Sequence, residues 1–214
     1  MVSTELFHGS SVTLKSSWSD ADCELLLQWR MQLSMIPGFT ASGGRQGLTL
    51  ADIKAYVQRP NVNIFLIQAL DGDVLGFIDS RELAYPGSVE VGCMVSESSL
   101  HGAGYAMEAI MLIMDYQFHE MNSHRIQFFT AAFNKPVVSM LCSGWVHVDG
   151  VMRDYYFLDG HYHDAVVASI LRDEYYTMLN SVRMAPADLV PRADKEQARE
   201  LLAKYLTDNP ITVS

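Results

Sequence analysis

The sequence is poor in several features that define whole classes of protein. It has three cysteines in 214 residues, Cys23, Cys93 and Cys142, which are too few and too scattered for a disulfide framework or a cysteine zinc site. No apolar run approaches the length of a membrane-spanning helix, and the first residues lack a basic region followed by an apolar one. We therefore expect a cytoplasmic protein that has no membrane partner.

Positive charge is also scarce. Lysine and arginine number 15 against 25 aspartates and glutamates, which gives a formal net charge of −10. Surfaces that bind nucleic acids are normally basic, so we expect no nucleic-acid partner. The acidic balance is compatible with a cationic or amine substrate, although solubility alone would explain it equally well.

The most informative stretch runs from residue 89 to residue 121. Its first part predicts a buried strand, because apolar side chains occupy every second position from Val89 to Val95. Its last part predicts a helix, because apolar side chains recur at helical spacing from Ala109 to Met121 with no Pro or Gly between them. The loop HGAGYA, residues 101–106, joins the two. Since a helix start exposes unpaired N–H groups and the positive end of the helix dipole, such a loop can bind a phosphate.

The glycine spacing narrows the type of phosphate ligand. A dinucleotide site would require a third glycine at position 107, where this chain has Met107, and a P-loop would require Gly-Lys-Ser/Thr. A strand with Glu-Val-Gly, followed by GAGYAMEA at residues 102–109, resembles the acyl-coenzyme-A motif of the GNAT N-acetyltransferases. In that motif the glycines let the backbone approach a pyrophosphate.

The remaining patterns predict the element order βααβββαβαββ over about residues 10–175. Asp71-Gly72-Asp73 predicts a hairpin turn between two β-rich runs, and Asp159-Gly160 predicts another near the end. This order matches the resembled family, which implies an α/β (α+β) fold with a mixed, mainly antiparallel central sheet splayed between strands 4 and 5.

We expect two parts in the chain. Residues 1–176 would form the GNAT-like acyltransferase domain, and residues 177–214 a linker and a C-terminal helical extension. A capping box from Asp194 to Gln197 predicts the start of that helix. A helix of this length is unstable alone, so it should dock either on its own domain or on a second subunit in a homodimer.

The resemblance implies acetyl-CoA, or another acyl-CoA, as co-substrate. Main-chain groups of the fourth strand would pair with the pantetheine arm like an added strand, and N–H groups of the glycine loop would hold the pyrophosphate. The cofactor-binding residues implied in this way are Met94, Val95, Ser96, His101, Gly102, Ala103, Gly104, Tyr105, Ala106 and Asn134.

The resemblance also implies direct attack of a neutral amine on the thioester. A carboxylate must then take the proton of the amine, usually through water. Glu90 on the central strand is our candidate for this base, with a cross-strand ion pair as its alternative role. Ser139 is our candidate general acid, since position 140, where many family members have Tyr, is Met140 here. Tyr155 and Tyr156 are alternatives for the acid.

The predicted function is therefore N-acyl transfer to a small-molecule amine or a peptide N-terminus. The alternative is a non-catalytic acyl-CoA-binding regulator or interaction module with the same fold. His161 and His163 would face the same side of a strand, as a metal pair requires. The sequence offers no evident third ligand, so we expect no metal site.

Overall fold

The computed structural model of the protein describes residues 5–31, 49–95, 104–182 and 190–209. The strands are β1 (Glu5–His8), β2 (Val12–Lys15), β3 (Val62–Ala69), β4 (Val74–Glu82), β5 (Ser88–Val95), β6 (Arg125–Ala131), β7 (His147–Leu158) and β8 (His161–Leu171). The helices are α1 (Asp20–Met31), α2 (Leu50–Val57), α3 (Tyr105–Asp115), α4 (Lys135–Leu141), α5 (Arg172–Ser181) and α6 (Arg192–Asp208). A π-helical turn, Tyr116–Glu120, continues α3.

The eight strands form one sheet in the order β1-β2-β3-β4-β5-β6-β8-β7. Every neighbouring pair is antiparallel except β5 and β6, which are parallel. The mixed, mainly antiparallel sheet predicted from the sequence is therefore confirmed. One detail of the predicted order was wrong, because the chain begins with a hairpin of two strands and not with one. The predicted fourth and fifth strands are consequently β5 and β6.

The sheet opens between β5 and β6. These strands pair only where residues 88–90 lie opposite residues 125–127. Beyond that point β5 stays paired with β4 as far as Val95, and β6 stays paired with β8 as far as Ala131. Each strand thus follows its other neighbour, and a gap separates residues 91–95 from residues 128–131.

Both faces of the sheet carry buried side chains, as the alternation of a strand requires. One face packs against α3 and α5 through Val89, Val91, Val95, Ala109, Ile113, Tyr175 and Leu179. The other face packs against α1 and α2 through Leu26, Trp29, Ile53, Ile64, Phe77 and Met94. Glu90, Gly92 and Met94 alternate along β5 and therefore share this second side. We call it the acceptor face, because it carries the candidate base Glu90.

The N-terminal hairpin is fastened to the first turn of α3 by Glu108. Its carboxylate accepts hydrogen bonds from the Ser10 hydroxyl at 2.7 Å and from the Ser11 N–H at 3.0 Å. A Cβ on Gly9 would lie 2.5 Å from the Glu108 carboxylate, so glycine is needed there. Burial acts to raise the pKa of Glu108, but the hydrogen bonds from Ser10 and Ser11 outweigh it and lower that pKa.

The C-terminal part differs from expectation in two ways. Helix α5 was not predicted, and the expected domain boundary after residue 176 falls inside it, between the buried Tyr175 and Leu179. Helix α6 begins after Pro191 and not at Asp194. No residue of α6 is buried, and its apolar side chain Leu201 is 65% exposed. Across the described ranges, no helix combines the length and the apolar character that crossing a membrane requires.

Candidate active site

The glycine loop meets α3 at Gly104. This residue lies at the N-cap position with φ of 80°, a left-handed conformation that favours glycine. Tyr105 and Ala106 begin the helix and pack against the core below it. No described side chain caps this helix start, which suits the predicted role of its N–H groups in binding a pyrophosphate. Ser96 and the residues His101, Gly102 and Ala103 lie outside the described residues.

One main-chain edge of strand β5 borders the gap. Met94 and Val95 pair with Phe77 and Gly76 of β4 on one side, whereas β6 has already separated on the other. The side chains of Met94 and Val95 are both buried, one on each face of the sheet. Only their main-chain groups can therefore serve a ligand in the gap, which fits the predicted pairing with a pantetheine arm.

Asn134 lies just past the end of β6, one of the two strands that border the gap. It occupies the N-cap position of α4, but its side chain makes no capping hydrogen bond. Its amide nitrogen instead donates to the Thr130 hydroxyl at 3.1 Å. The structure therefore places Asn134 beside the gap, as a cofactor contact requires, and leaves its role as a prediction.

Glu90 lies at the point where the gap begins. Arg81 is its cross-strand neighbour on β4, and Gln127 is its neighbour on β6. One carboxylate oxygen accepts a hydrogen bond from the Arg81 guanidinium, and the other accepts from the Gln127 amide at 3.1 Å. The side chain is 17% exposed. The cross-strand ion pair is thus present, and both partners hold the carboxylate at one orientation on the acceptor face.

A second carboxylate lies beside this pair. Asp79 is 8% exposed, and its Oδ2 is 3.7 Å from Arg81 Nε. Gly92 lies opposite it on β5, where a Cβ would come within 2.7 Å of the Asp79 carboxylate. Burial acts to lower the pKa of Arg81, but the carboxylates of Glu90 and Asp79 outweigh it and raise that pKa. Two carboxylates and one guanidinium leave a net negative charge, which suits an ammonium substrate.

The thiol of Cys93 projects to the opposite side of β5. Burial, with the nearby Asp79 carboxylate as a second cause, raises its pKa to about 12. Because the thiolate is the nucleophilic form of cysteine, Cys93 stays a neutral thiol near pH 7. Cys93 is therefore a poor candidate for a nucleophile.

The candidate general acid is separate from this network. Ser139 lies exposed on α4, and no hydrogen bond connects it to Glu90, Arg81 or Gln127 in the described part of the chain. The neighbouring Met140 contributes only its carbonyl, which accepts from Trp145 Nε1 at 2.9 Å. The role of Ser139 remains a prediction.

Aromatic side chains line the acceptor face beside β6. Tyr156 on β7 contacts Phe129 and Tyr155 at ring-centroid distances of 6.1 and 4.9 Å. It packs with Ala131 and Ala165 and is 5% exposed. Burial, followed by the nearby Tyr155 and Glu90, raises the pKa of Tyr156 to about 12. The role of Tyr156 as an alternative general acid stays a prediction.

The two hairpin histidines have different surroundings. The His163 ring contacts Phe133 at a centroid distance of 4.9 Å and lies 3.3 Å from the Leu158 carbonyl oxygen. His161 is exposed at the start of β8. No cluster of three or more potential metal ligands occurs in the described ranges.

A sheet that opens between two parallel strands, with a glycine-led helix start following the first of them, defines a cofactor-binding transferase fold of the predicted kind. A family model described as an acetyltransferase (GNAT) domain matches residues 16–141, more than half of the 214 residues. The chain belongs to this family, which confirms the resemblance inferred from the sequence.

Two curated proteins match over a shorter stretch. An uncharacterized N-acetyltransferase, p20 of Bacillus licheniformis, is 34% identical over 74 residues, 35% of this chain and 42% of p20. A probable N-acetyltransferase of Bacillus subtilis, YjcK, is 31% identical over 74 residues, 35% of this chain and 41% of that protein. The chain thus spans about two fifths of the length of the curated relatives it matches.

Solved structures share the fold over a wider range. Spermidine N-acetyltransferase from Vibrio cholerae, in complex with CoA and spermine, aligns with a TM-score of 0.68 and 18% identity over 78% of this chain and 99% of that one. A GCN5-related N-acetyltransferase from Brucella melitensis aligns with a TM-score of 0.65 and 18% identity over 84% of both chains. At such identities the likeness establishes the fold alone.

Proposed function

We propose that the protein transfers an acetyl group from acetyl-CoA to a primary amine of a small molecule or of a peptide N-terminus, in the cytoplasm. The observation that carries this proposal is the gap between β5 and β6, which the glycine-led start of α3 follows in the chain. Family membership supports it, because the matching family is defined by acetyltransferase domains.

The residues present fit an acyl-CoA. The main-chain edge of residues 91–95 that β6 leaves unpaired would align the pantetheine arm, and the start of α3 at Gly104 would face the pyrophosphate. Asn134 would contact the cofactor from beyond the end of β6. Acetyl-CoA supplies an acyl carbonyl activated as a thioester. The chain itself supplies the orientation of that carbonyl and a group that takes the amine proton.

Glu90 is our proposed proton acceptor. An amine must lose its proton to attack, and a carboxylate acting through water is suited to this step. Arg81 and Gln127 fix the Glu90 carboxylate at the start of the gap, so it is oriented before the substrates bind. The new C–N bond would then form as the C–S bond breaks, CoA would leave as its thiolate, and the amine proton would pass through water to Glu90.

A second candidate function follows from the same contacts. Because both oxygens of Glu90 already accept hydrogen bonds, the protein could bind acyl-CoA without catalysing transfer. Release of the free CoA thiol with a panel of amines separates the two functions. Tight binding of acetyl-CoA without thiol release on any amine would favour the non-catalytic module.

Calorimetric titration with acetyl-CoA tests the cofactor site. We expect one molecule bound per chain, with affinity about tenfold weaker in Gly104→Ala. A left-handed conformation costs a non-glycine residue about 1–2 kcal/mol, so the free variant would leave that conformation and binding would have to restore it. A cost of 1.4 kcal/mol corresponds to about tenfold in affinity. Gly150→Ala is the matched control, since nothing lies within 4 Å of a Cβ at that glycine. A folded wild-type protein that binds no acetyl-CoA would contradict the proposal.

The C-terminal helix α6 bears on the oligomeric state of the protein. Its exposed apolar residues support the prediction that α6 docks on a second subunit, and we propose a homodimer on that basis. Light scattering of the full chain and of a chain truncated at Ala185 tests it. An unchanged monomer mass in both would contradict it.

A further inference from the structure

Tyr156 is a buried polar group that the chemistry above does not use. Its hydroxyl has no hydrogen-bond partner within residues 5–31, 49–95, 104–182 and 190–209, although the side chain is only 5% exposed. A buried polar group elsewhere in the fold is satisfied: the Gln117 amide of the π-helical turn donates to Ser80 and accepts from Ser123, both at 2.8 Å. Since buried polar groups are nearly always paired, the phenol of Tyr156 requires an explanation.

The strand register places this phenol on the acceptor face. Tyr156 lies opposite His163 of β8, and Ala165, two residues further on the same face, lies opposite Ala131 of β6. Ala131 belongs to the part of β6 that has separated from β5. The Glu90 carboxylate is near enough to contribute to the raised pKa of Tyr156. The Tyr156 hydroxyl and the proposed base therefore lie on the same face of the sheet.

A bulge in β7 holds Tyr156 in this place. Met152 lies opposite Ala165 and Tyr156 lies opposite His163, so β7 contains two more residues than β8 over this stretch. Asp154, within the bulge, has a positive φ of 53°, and its N–H donates to the Asp164 carboxylate at 2.9 Å. Bulges redirect side chains, and strained residues concentrate at functional sites. The bulge thus supports a ligand-binding role for the side chain that follows it.

The chemistry of the phenol limits the ligand. With its pKa raised to about 12, Tyr156 remains protonated near neutral pH and has one hydrogen to donate. A protonated polyamine carries only hydrogen-bond donors, so it would leave that hydrogen unpaired. An α-amino amide or a peptide N-terminus has a carbonyl oxygen next to the reacting nitrogen. The rings of Phe129 and Tyr155 beside it suit the carbon body of such a ligand.

We propose that the Tyr156 hydroxyl donates a hydrogen bond to the carbonyl oxygen adjacent to the acceptor amine, so that the acceptor is an α-amino amide or a peptide N-terminus. This inference rests on the proposed function, because it assigns the acceptor of the same reaction. It makes Tyr156 a residue that binds the acceptor and aligns its nitrogen with the thioester.

Two amines that differ only in the carboxamide test the assignment. We expect the wild-type protein to acetylate leucinamide with a kcat/KM at least tenfold above that of 3-methylbutylamine, which lacks the carbonyl. Tyr156→Phe should lower kcat/KM for leucinamide about tenfold, chiefly through KM, and leave the value for 3-methylbutylamine unchanged, since one hydrogen bond is lost. The KM for acetyl-CoA should not change. Tyr162→Phe is the control, because that side chain is 64% exposed at the hairpin.

The outcomes separate failure of this inference from failure of the proposed function. Either of two results would overturn the acceptor assignment alone. In the first, Tyr156→Phe lowers kcat/KM equally for both amines. In the second, the wild-type protein acetylates spermidine and 3-methylbutylamine as well as it acetylates leucinamide. If no amine is acetylated, the proposed function fails, and calorimetric titration of leucinamide into the CoA-saturated protein decides the inference. Binding that weakens about tenfold in Tyr156→Phe would support it, and absence of binding to wild type would overturn it.

Discussion

Glu90 and Tyr156 lie on the same face of one sheet, but their polar groups differ in whether they are hydrogen-bonded. Both oxygens of Glu90 are hydrogen-bonded by side chains of the neighbouring strands, whereas no described group pairs with the Tyr156 hydroxyl. The first arrangement fixes a charged group, because an unpaired buried carboxylate would be very unfavourable. The second arrangement leaves the neutral Tyr156 hydroxyl, a hydrogen-bond donor, without an acceptor among the described residues.

This difference fits the roles proposed above, in which Glu90 accepts the amine proton and Tyr156 binds the acceptor. A base must have a fixed position and a defined charge before substrate arrives, and the Arg81–Glu90–Gln127 row provides both. A recognition group gains most when its bond is made only in the complex, because the unpaired state is then relieved by the correct ligand. Buried groups without partners in a native fold are expected at such sites.

Removing the carboxylate of Glu90 should have the largest effect. We expect Glu90→Gln to lower kcat about 100-fold near neutral pH, within the range for loss of a general base, and to recover part of the rate at high pH, where more of the amine is already deprotonated. The pH–rate profile of kcat measures this. Glu82→Gln is the control. Glu82 is exposed, follows Arg81 on β4 and lies on the opposite face of the sheet from Glu90. Full activity of Glu90→Gln would exclude Glu90 as the base.

Removing one hydrogen bond to the Glu90 carboxylate should lower kcat by a smaller factor. In Gln127→Met one of its two hydrogen bonds is lost while the charge and the Arg81 ion pair remain. We expect kcat to fall about tenfold, since one hydrogen bond to a charged group contributes about 1.5–3 kcal/mol and only part of it is lost from the transition state. The KM for acetyl-CoA should stay unchanged. Steady-state kinetics of this variant and of Gln68→Met make the comparison, because the Gln68 amide donates to the Gly72 carbonyl at a remote turn. Equal kcat values in the two variants would contradict a role in orienting Glu90.

The sequence predicted those parts of the fold that local patterns determine. The turn at Asp71-Gly72 and the turn at Asp159-Gly160 connect the strands they were expected to connect, because glycine and aspartate accept the backbone conformations of tight turns. Helix α5 was missed because it continues directly from β8 with no Gly or Pro between them. Its cap is a hydrogen bond from the Leu171 N–H to the Glu174 carboxylate at 2.9 Å, a pairing without a distinctive residue at the cap position.

The site was predictable only in part, for a related reason. Glu90 followed from alternation within one strand, and Gly104 from its position before a helix. Gln127 could not be assigned as a partner of Glu90, because the register of two parallel strands depends on packing of the whole connection between them. Tyr156 could be named only as an alternative acid, because a bulge that adds two residues to β7 changes which side chains face the site.

The smallest expected effect is on stability, and it compares two phenols of the same molecule. Tyr156→Phe removes a hydroxyl that is buried without a partner, so the free energy of unfolding should rise by about 1 kcal/mol. Tyr175→Phe removes a hydroxyl that donates to the Asp115 carboxylate in the core, so the same chemical change should lower the free energy of unfolding by about 2 kcal/mol. Urea unfolding of the two variants and the wild type, without ligand, measures both. A loss of stability in Tyr156→Phe equal to that in Tyr175→Phe would mean that the Tyr156 hydroxyl is already paired in the free protein, and it would then have no unmet bond to offer an acceptor.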